Sequence, residues 1–360
     1  MKVYAILVNF NGWPDTIECL ETLFRSDHPD FRVLVCDNGS ADGSLERIRA
    51  WAERRLDAAA PRGELFRLQD SPLERPLQYA EYGRQEAEAG GDGAEQARLV
   101  LIDCGGNLGF AGGNNVGLRY ALAQGDCDFA WLINNDTAIE PDAMRRMVER
   151  LSEEPQAGLC SSTLLHYHDP GRVQALGGGW YCSWLGLAWH LGRLGRWPQK
   201  VDRDQVERRM SYPVGASMMV TGRFLKEVGL MCEDYFLYFE ELDWVLRARG
   251  RFCMVYAPES IVYHKVGGSI GTSSNPGRKS LACDYWNARN RIFFTRRFFP
   301  WALPTVYLAL FGTLLTRIAL GRWDRVRMLL RLFFGEGDPF AGAPAATTVA
   351  ALGKERRRSS

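Results

Sequence analysis

Four short runs of β-favouring residues, most followed by polar turn chemistry and then by helical apolar spacing, constrain this chain more than any other feature. Residues 3–8 read as a strand, 9–14 as a turn and 15–24 as a helix, and the pattern repeats at 31–36, 37–43 and 44–60. It resumes with a strand at 99–103, a Gly/Asn-rich loop at 105–113 and a helix at 114–123. A further strand at 129–133 ends in Asn134-Asn135-Asp136. Pro141 falls in the first turn of the next expected helix, where its missing N–H would have no partner anyway. Parallel strands need a crossover connection, and a helix usually supplies it. The alternation therefore predicts an α/β fold with a mostly parallel central sheet flanked by helices.

Ligands of such sheets collect beyond the carboxyl ends of the strands. Asp37, the 105–113 loop and Asp136 all fall there. Asp37 follows a buried strand directly, so its carboxylate can accept from a base N–H, whereas Asp42 and Ser44 suit capping of the next helix. The glycines from Gly106 to Gly117 allow close backbone approach beside a helix N-terminus, which suits a nucleotide. Their spacing is not G-x-G-x-x-G, which argues against a dinucleotide fingerprint.

Composition excludes several classes. Of 360 residues, 46% are hydrophobic and 24% charged, enough to bury a sizeable core. A net charge of +1 encodes no general attraction to nucleic acid. Nine cysteines stand singly, with no C-x-x-C pair, which fits a reducing compartment and small buried side chains. The N-terminus enters the first strand directly, leaving no room for an export signal, so a cytoplasmic location is expected.

The strand–helix pattern dissolves between residues 61 and 97, read as an insertion, partly helical and partly mobile. A donor half would run to about 157 and an acceptor half from about 158 to 295. Within the latter, the aromatic stretch 177–189 holds Trp180, Trp184 and Trp189, expected to pack in the core or at a membrane interface. Residues 298–316 carry no charge, but Pro300 and Pro304 interrupt the start, and Arg322, Arg325, Arg327 and Arg331 recur among apolar residues. Residues 296–335 are therefore expected to form amphipathic helices on a membrane surface, and 336–360 a basic, disordered tail.

Four further segments complete a pattern: Tyr212-Pro213-Val214-Gly215-Ala216-Ser217, Phe236-Leu237-Tyr238-Phe239-Glu240-Glu241-Leu242-Asp243-Trp244, His264-Lys265-Val266-Gly267-Gly268-Ser269 and Tyr285-Trp286-Asn287-Ala288-Arg289-Asn290-Arg291. With the strand-end segments, and in this order over residues 3–297, the chain resembles the family-two glycosyltransferases of the GT-A fold, especially their bacterial rhamnosyltransferase-like branch. The resemblance implies an inverting transfer of a sugar from a nucleotide-diphosphate donor, dTDP-rhamnose or a UDP-hexose. The acceptor would be a glycan or lipid-linked hydroxyl in cell-surface polysaccharide synthesis at the inner face of the membrane.

By position, the resemblance implies donor contacts from Asn9, Asp37, Asn38, Asn107, Gly109, Gly113, Asn115, Asn134, Asn135 and Asp136, with Asp37 at the nucleobase. Asp136 and His264 would hold a divalent cation, Mg or Mn, that neutralises the leaving diphosphate. Glu241 would be the general base, although many relatives carry Asp there, and Gly215, Glu240, Asp243 and Trp244 would support the acceptor side. If the segment is helical, Asp243 shares a face with Glu240 and Glu241 points about 100° away. A nucleotidyltransferase is the rival enzyme class, but the loop after the first strand, residues 9–14, has no cation for a triphosphate. A non-catalytic carbohydrate-binding protein is the remaining alternative.

Overall fold

The computed structural model describes residues 1–58, 63–93, 97–266 and 280–334. In chain order, β1 (Val3–Asn9), α1 (Trp13–Leu23), β2 (Phe31–Asp37) and α2 (Ser44–Ala52) are followed by β3 (Tyr79–Gly83) and α3 (Arg84–Glu88). Next come β4 (Leu99–Asp103), α4 (Gly109–Ala123), β5 (Phe129–Ile133), β6 (Thr137–Ile139) and α5 (Ala143–Glu153). The second half begins with β7 (Ala157–His166), β8 (Asp169–Leu176), β9 (Gly178–Cys182), β10 (Leu187–His190) and α6 (Arg203–Arg209). It continues with β11 (Tyr212–Pro213), β12 (Ser217–Thr221), α7 (Gly222–Val228), α8 (Glu240–Ala248) and β13 (Cys253–His264). Three helices close the described chain: α9 (Leu281–Phe298), α10 (Leu303–Ala319) and α11 (Trp323–Phe334).

One large sheet runs β3-β4-β2-β1-β5-β12-β7-β13-β6, with β8 added to β7. Its first five strands are parallel, and β12 then enters antiparallel between β5 and β7. Strand alternation explains why both faces are covered. Val3, Ala5, Leu7, Val33 and Val35 face α1, α2 and α5, whereas Tyr4, Ile6, Leu34 and Cys36 face α4 and the helices of the second half. A smaller sheet, β10-β9-β11, stands beside the large one.

Three sequence expectations change. The helix read to residue 60 ends at Ala52. Helix α4 begins at Gly109, inside the stretch read as a loop, because its glycines serve packing. A Cβ on Gly113 would lie 2.8 Å from Val8 Cγ1, and one on Gly117 2.6 Å from Ile6 Cγ2. The helix therefore rests directly on β1, and this close approach offsets the poor helix propensity of glycine. The 61–97 insertion contributes β3, whose residues Tyr79 to Gly83 pair with Leu99 to Asp103 and extend the sheet edge.

Helices α9, α10 and α11 bury their own cluster, including Ile292, Val306, Leu310, Leu314 and Leu329. Inside it Asp284 accepts from Arg317 at 3.2 Å and also pairs with Arg325. Pro300 and Pro304 stand in the first turns of new helical segments, which divides α9 from α10. On its other face α10 exposes Leu308, Phe311, Leu315 and Ile318. The stretch Pro300–Ala319 is long and apolar enough to cross a membrane by length and composition. The tail expected at 336–360 lies outside the described residues.

Candidate active site

The carboxyl ends of β1, β5 and β13 open onto one cavity of about 740 Å³. On one wall stand Asn38, Asn107, Gly109 and Asn114. The Asn38 amide donates to Asn107 Oδ1 and to the Gly109 carbonyl, both at 3.1 Å, and its oxygen accepts from the Leu108 N–H at 3.0 Å. Gly39, at φ +80°, permits this crossing, since a Cβ there would lie 2.8 Å from Gly106 Cα. The polypeptide has thus already set these amides by bonding them to one another.

Behind the wall, Asp37 accepts from Asn9 Nδ2 at 2.7 Å and from the Ser40 N–H at 2.9 Å. Asn9 Oδ1 accepts from Thr16 at 2.8 Å, and Asn135 donates to the same hydroxyl at 2.9 Å. This buried network ties the ends of β1, β2 and β5. Of the expected donor residues, Asn38, Asn107, Gly109, Asn134, Asn135 and Asp136 line the cavity. Asn9, Asp37, Gly113 and Asn115 do not. Asn115 exchanges hydrogen bonds with Met231 and donates to Glu233, holding the second half against α4.

Asp136 Oδ1 lies 3.1 Å from His264 Nε2. His264 Nδ1 sits 3.0 Å from Gln174 Oε1, a contact that orients the ring and directs Nε2 at Asp136. Asn134 Nδ2 approaches the same nitrogen at 3.3 Å. Lys265 anchors this end of β13 to α1 through Asp15 at 2.6 Å and Glu18 at 2.7 Å. An oriented imidazole facing a carboxylate oxygen is a fitting pair of ligands for a Mn-type cation. Among the described residues, no group of three or more His, Cys, Asp or Glu side chains is placed to hold a metal ion. Two protein ligands suit a cation whose remaining positions are filled by phosphate oxygens.

Glu240 and Glu241 line the cavity at the start of α8. Glu241 Oε1 accepts from the Gly215 N–H at 3.2 Å, and burial pushes its carboxyl up to about 7. A Cβ on Gly215 would lie 2.4 Å from that oxygen, so only glycine admits the carboxylate. Glu240 is buried, its Oε2 has no hydrogen-bond partner, and burial followed by the charge of Glu241 raises its carboxyl well above the usual range. A solvated helix N-terminus does not describe this pair. Nor does Asp243 join it. Asp243 is buried, where it accepts from Tyr235 at 3.0 Å and pairs with Arg247 at 2.6 Å and Arg297 at 2.9 Å. Trp244 is buried with its Nε1 donating to the Gly229 carbonyl at 2.8 Å, so these two of the four expected support residues act in packing.

One residue that sequence reasoning left without a role is Asn290. The turn leading into α8 holds Phe236, Tyr238 and Phe239 at φ of 58°, 70° and 78°, a region that disfavours bulky side chains. Asn290 Nδ2 donates to the carbonyls of Tyr235, Leu237 and Tyr238 at 2.6, 2.8 and 3.1 Å. A buried asparagine inside a helix is a poor helix former and needs another reason to be there; the clamp is that reason.

Known proteins share the architecture. Residues 4–67 match the profile of Glycosyl transferase family 2. The mannosyltransferase PcManGT from Pyrobaculum calidifontis, solved with GDP-Man and Mn2+, superposes at a TM-score of 0.50 with 16% identity, covering 92% of this chain and 86% of that one. The fold is of the GT-A type. TarS 1–349 of S. aureus with UDP-GlcNAc gives a TM-score of 0.46 at 15% identity, over 81% of this chain and 66% of that one. The low-salt glycan biosynthesis hexosyltransferase Agl10 of Haloferax volcanii is 25% identical over 152 residues, 42% of this chain. That match spans 46% of the relative, less than half its length.

Proposed function

We propose that this chain is an inverting glycosyltransferase that moves a sugar from a nucleotide-diphosphate donor to a hydroxyl acceptor. One observation carries the reading: the Asp136–His264 pair and the near-neutral Glu241 carboxyl line the same cavity at the carboxyl ends of the sheet. The family profile over residues 4–67 supports a family-two enzyme. Asn38, Asn107 and Asn114 would meet the nucleotide side of the donor and Asn134 its sugar-diphosphate side. Asp136 and His264 would hold a divalent cation, Mg or Mn, whose charge favours departure of the diphosphate.

Glu241 would take the proton of the acceptor hydroxyl, which is efficient because its pKa of about 7 lies near the working pH. The freed oxygen pair would form the new bond to the anomeric carbon while the old C–O pair leaves with the diphosphate, so configuration inverts. The Gly215 N–H would keep the carboxylate aimed. dTDP-rhamnose and UDP-hexoses are the donors to test first, and a glycan or lipid-linked acceptor of cell-surface polysaccharide is the expected partner. The exposed apolar face of α10, beside the exposed Arg322, Arg327 and Arg331 of the α10–α11 hairpin, supports peripheral contact with an anionic cytoplasmic leaflet.

Thermal shift against UDP-, GDP- and dTDP-linked sugars, with and without Mn2+, tests the reading, because a ligand that binds only the folded state raises its melting temperature. One donor class should stabilise the protein, and only with the metal. An equal response to every donor without metal, or to none with it, overturns the proposal.

A further inference from the structure

The cavity extends past His264 to a wall unlike the rest. Arg172, before Val173 on β8, and Arg193, after β10, line it there together with His166, Gln174 and His190. Both guanidiniums are exposed and neither forms an ion pair among the described residues. The nearby Asp169 is engaged by Arg196 at 3.6 Å. The two arginines supply the fixed charge of this wall. Two unpaired guanidiniums on a concave surface are a match for an oxyanion, above all a phosphoryl group.

Position decides whose anion it is. Thr137, one residue after Asp136, pairs with His264; His264 pairs with His166, and His166 with Asp169 on β8. Arg172 is thus three strand spacings from the Asp136 end of β6, about 14 Å. Arg193 follows β10, which joins β11 through β9, and β11 leads to Gly215, whose N–H holds Glu241. The donor diphosphate belongs at Asp136, with its nucleotide toward β2 and α4. The arginine wall therefore faces the acceptor.

The same wall ends an apolar track. On the β9–β10 hairpin, Trp180 and Trp189 pair across the strands and stack at 5.4 Å, and Leu187 follows on the same face. At the hairpin turn, Trp184 and Leu185 are exposed, and Trp184 packs edge-on against Trp301 at 4.4 Å, while the Thr305 hydroxyl of α10 donates to the Trp184 carbonyl at 2.6 Å. Leu194, beside Arg193, is 83% exposed. Beyond the turn, the strand from Leu187 to His190 spans about 10 Å. An apolar strip, exposed at Trp301, Trp184, Leu185 and Trp180 and half-buried at Leu187 and Trp189, thus runs from the open face of α10 toward the two arginines at the cavity.

We propose that Arg172 and Arg193 bind a phosphoryl group carried by the acceptor, and that the hairpin strip from Trp301 to Trp189 takes the hydrocarbon chain attached to it. The acceptor is then an anionic amphiphile, a sugar joined to a lipid through phosphate. This rests on the transferase reading for its location in the cavity, but binding tests it without turnover.

The probes are farnesyl diphosphate, farnesol and inorganic pyrophosphate, titrated against the full chain by tryptophan fluorescence. Farnesyl diphosphate should bind at least about tenfold tighter than either fragment, because both parts of the site contribute. Arg172→Gln with Arg193→Gln should weaken it to the level of farnesol, and Trp184→Asp with Leu185→Asp to the level of pyrophosphate. Both variants should keep the nucleotide-sugar thermal shift of the wild type. Unchanged farnesyl diphosphate affinity in the double-Gln variant overturns the proposal. So does loss of the nucleotide shift there, which would assign the arginines to the donor. A wild type that binds farnesyl diphosphate as expected but responds to no nucleotide-sugar sinks the transferase reading and leaves the amphiphile site standing.

Discussion

The two walls of the cavity are built on opposite principles. On the side of β1, β2 and α4, polar side chains are bonded to one another before any ligand arrives: Asn38 to Asn107 and Gly109, Asp37 to Asn9 and Ser40. On the side of α8, one buried carboxylate oxygen has no partner, two carboxyls are held above their usual range, and three aromatic residues stand at positive φ. The first wall is preorganised for binding. The second carries strain and imperfectly compensated charge, which persist only where the surrounding structure enforces them, and such places are where chemistry is found.

If that contrast is right, changes on the α8 side should reduce turnover more than donor binding. Glu241→Gln should lower turnover by about 10²–10⁴-fold, the span of general-base catalysis, while the donor-induced thermal shift remains. Unchanged turnover would remove Glu241 from the chemistry. Asn290→Ala should come next, with turnover down about tenfold to a hundredfold at little change in donor KM, since a base displaced by about 1 Å is enough to lose that much. An equal rise in donor KM would mean that the clamp serves the whole cavity. Gly215→Ala should cost about tenfold by pushing Glu241 aside, and Asp136 chemistry should survive it, read as an intact Mn2+-dependent donor shift.

The pH dependence sharpens the comparison from the same carboxyls. The rate should fall on acidification through pH 7, as Glu241 gains its proton. Stability should move the other way. Glu240 and Glu241 have raised pKa values in the folded state, so that state binds more protons than the unfolded chain, and stability falls as pH rises from the ordinary carboxyl range through their folded values. Glu240→Gln removes one such group. It should raise stability at pH 8 by roughly 1–3 kcal/mol and have little effect near pH 4, measured by urea unfolding at both. A uniform gain at both pH values would show that the carboxyl's charge is not the cause.

The strand–helix repeats needed no tertiary knowledge, because β1, β2, β4 and β5 carry continuous β-favouring runs bounded by turn residues. Their order already directed Asp37, Asn107 and Asp136 to one edge of the sheet. Helix α4 was half hidden: glycine reads as loop until Val8 and Ile6 are seen pressing against Gly113 and Gly117. Strand β3 was invisible inside the insertion, since Tyr79–Gly83 gains its strand character only from pairing with β4.

At the site, the sequence named segments that line the cavity but not which of their side chains reach it. Residue type and spacing determined that carboxylates, amides and a histidine would cluster beyond the strand ends, because backbone periodicity is local. Only the packed structure decided that Asp243 and Trp244 turn inward, that Asn290 clamps the turn before α8, and that Arg172 and Arg193 line one cavity. Those outcomes depend on contacts between segments tens to hundreds of residues apart, and no local pattern along the chain encodes them.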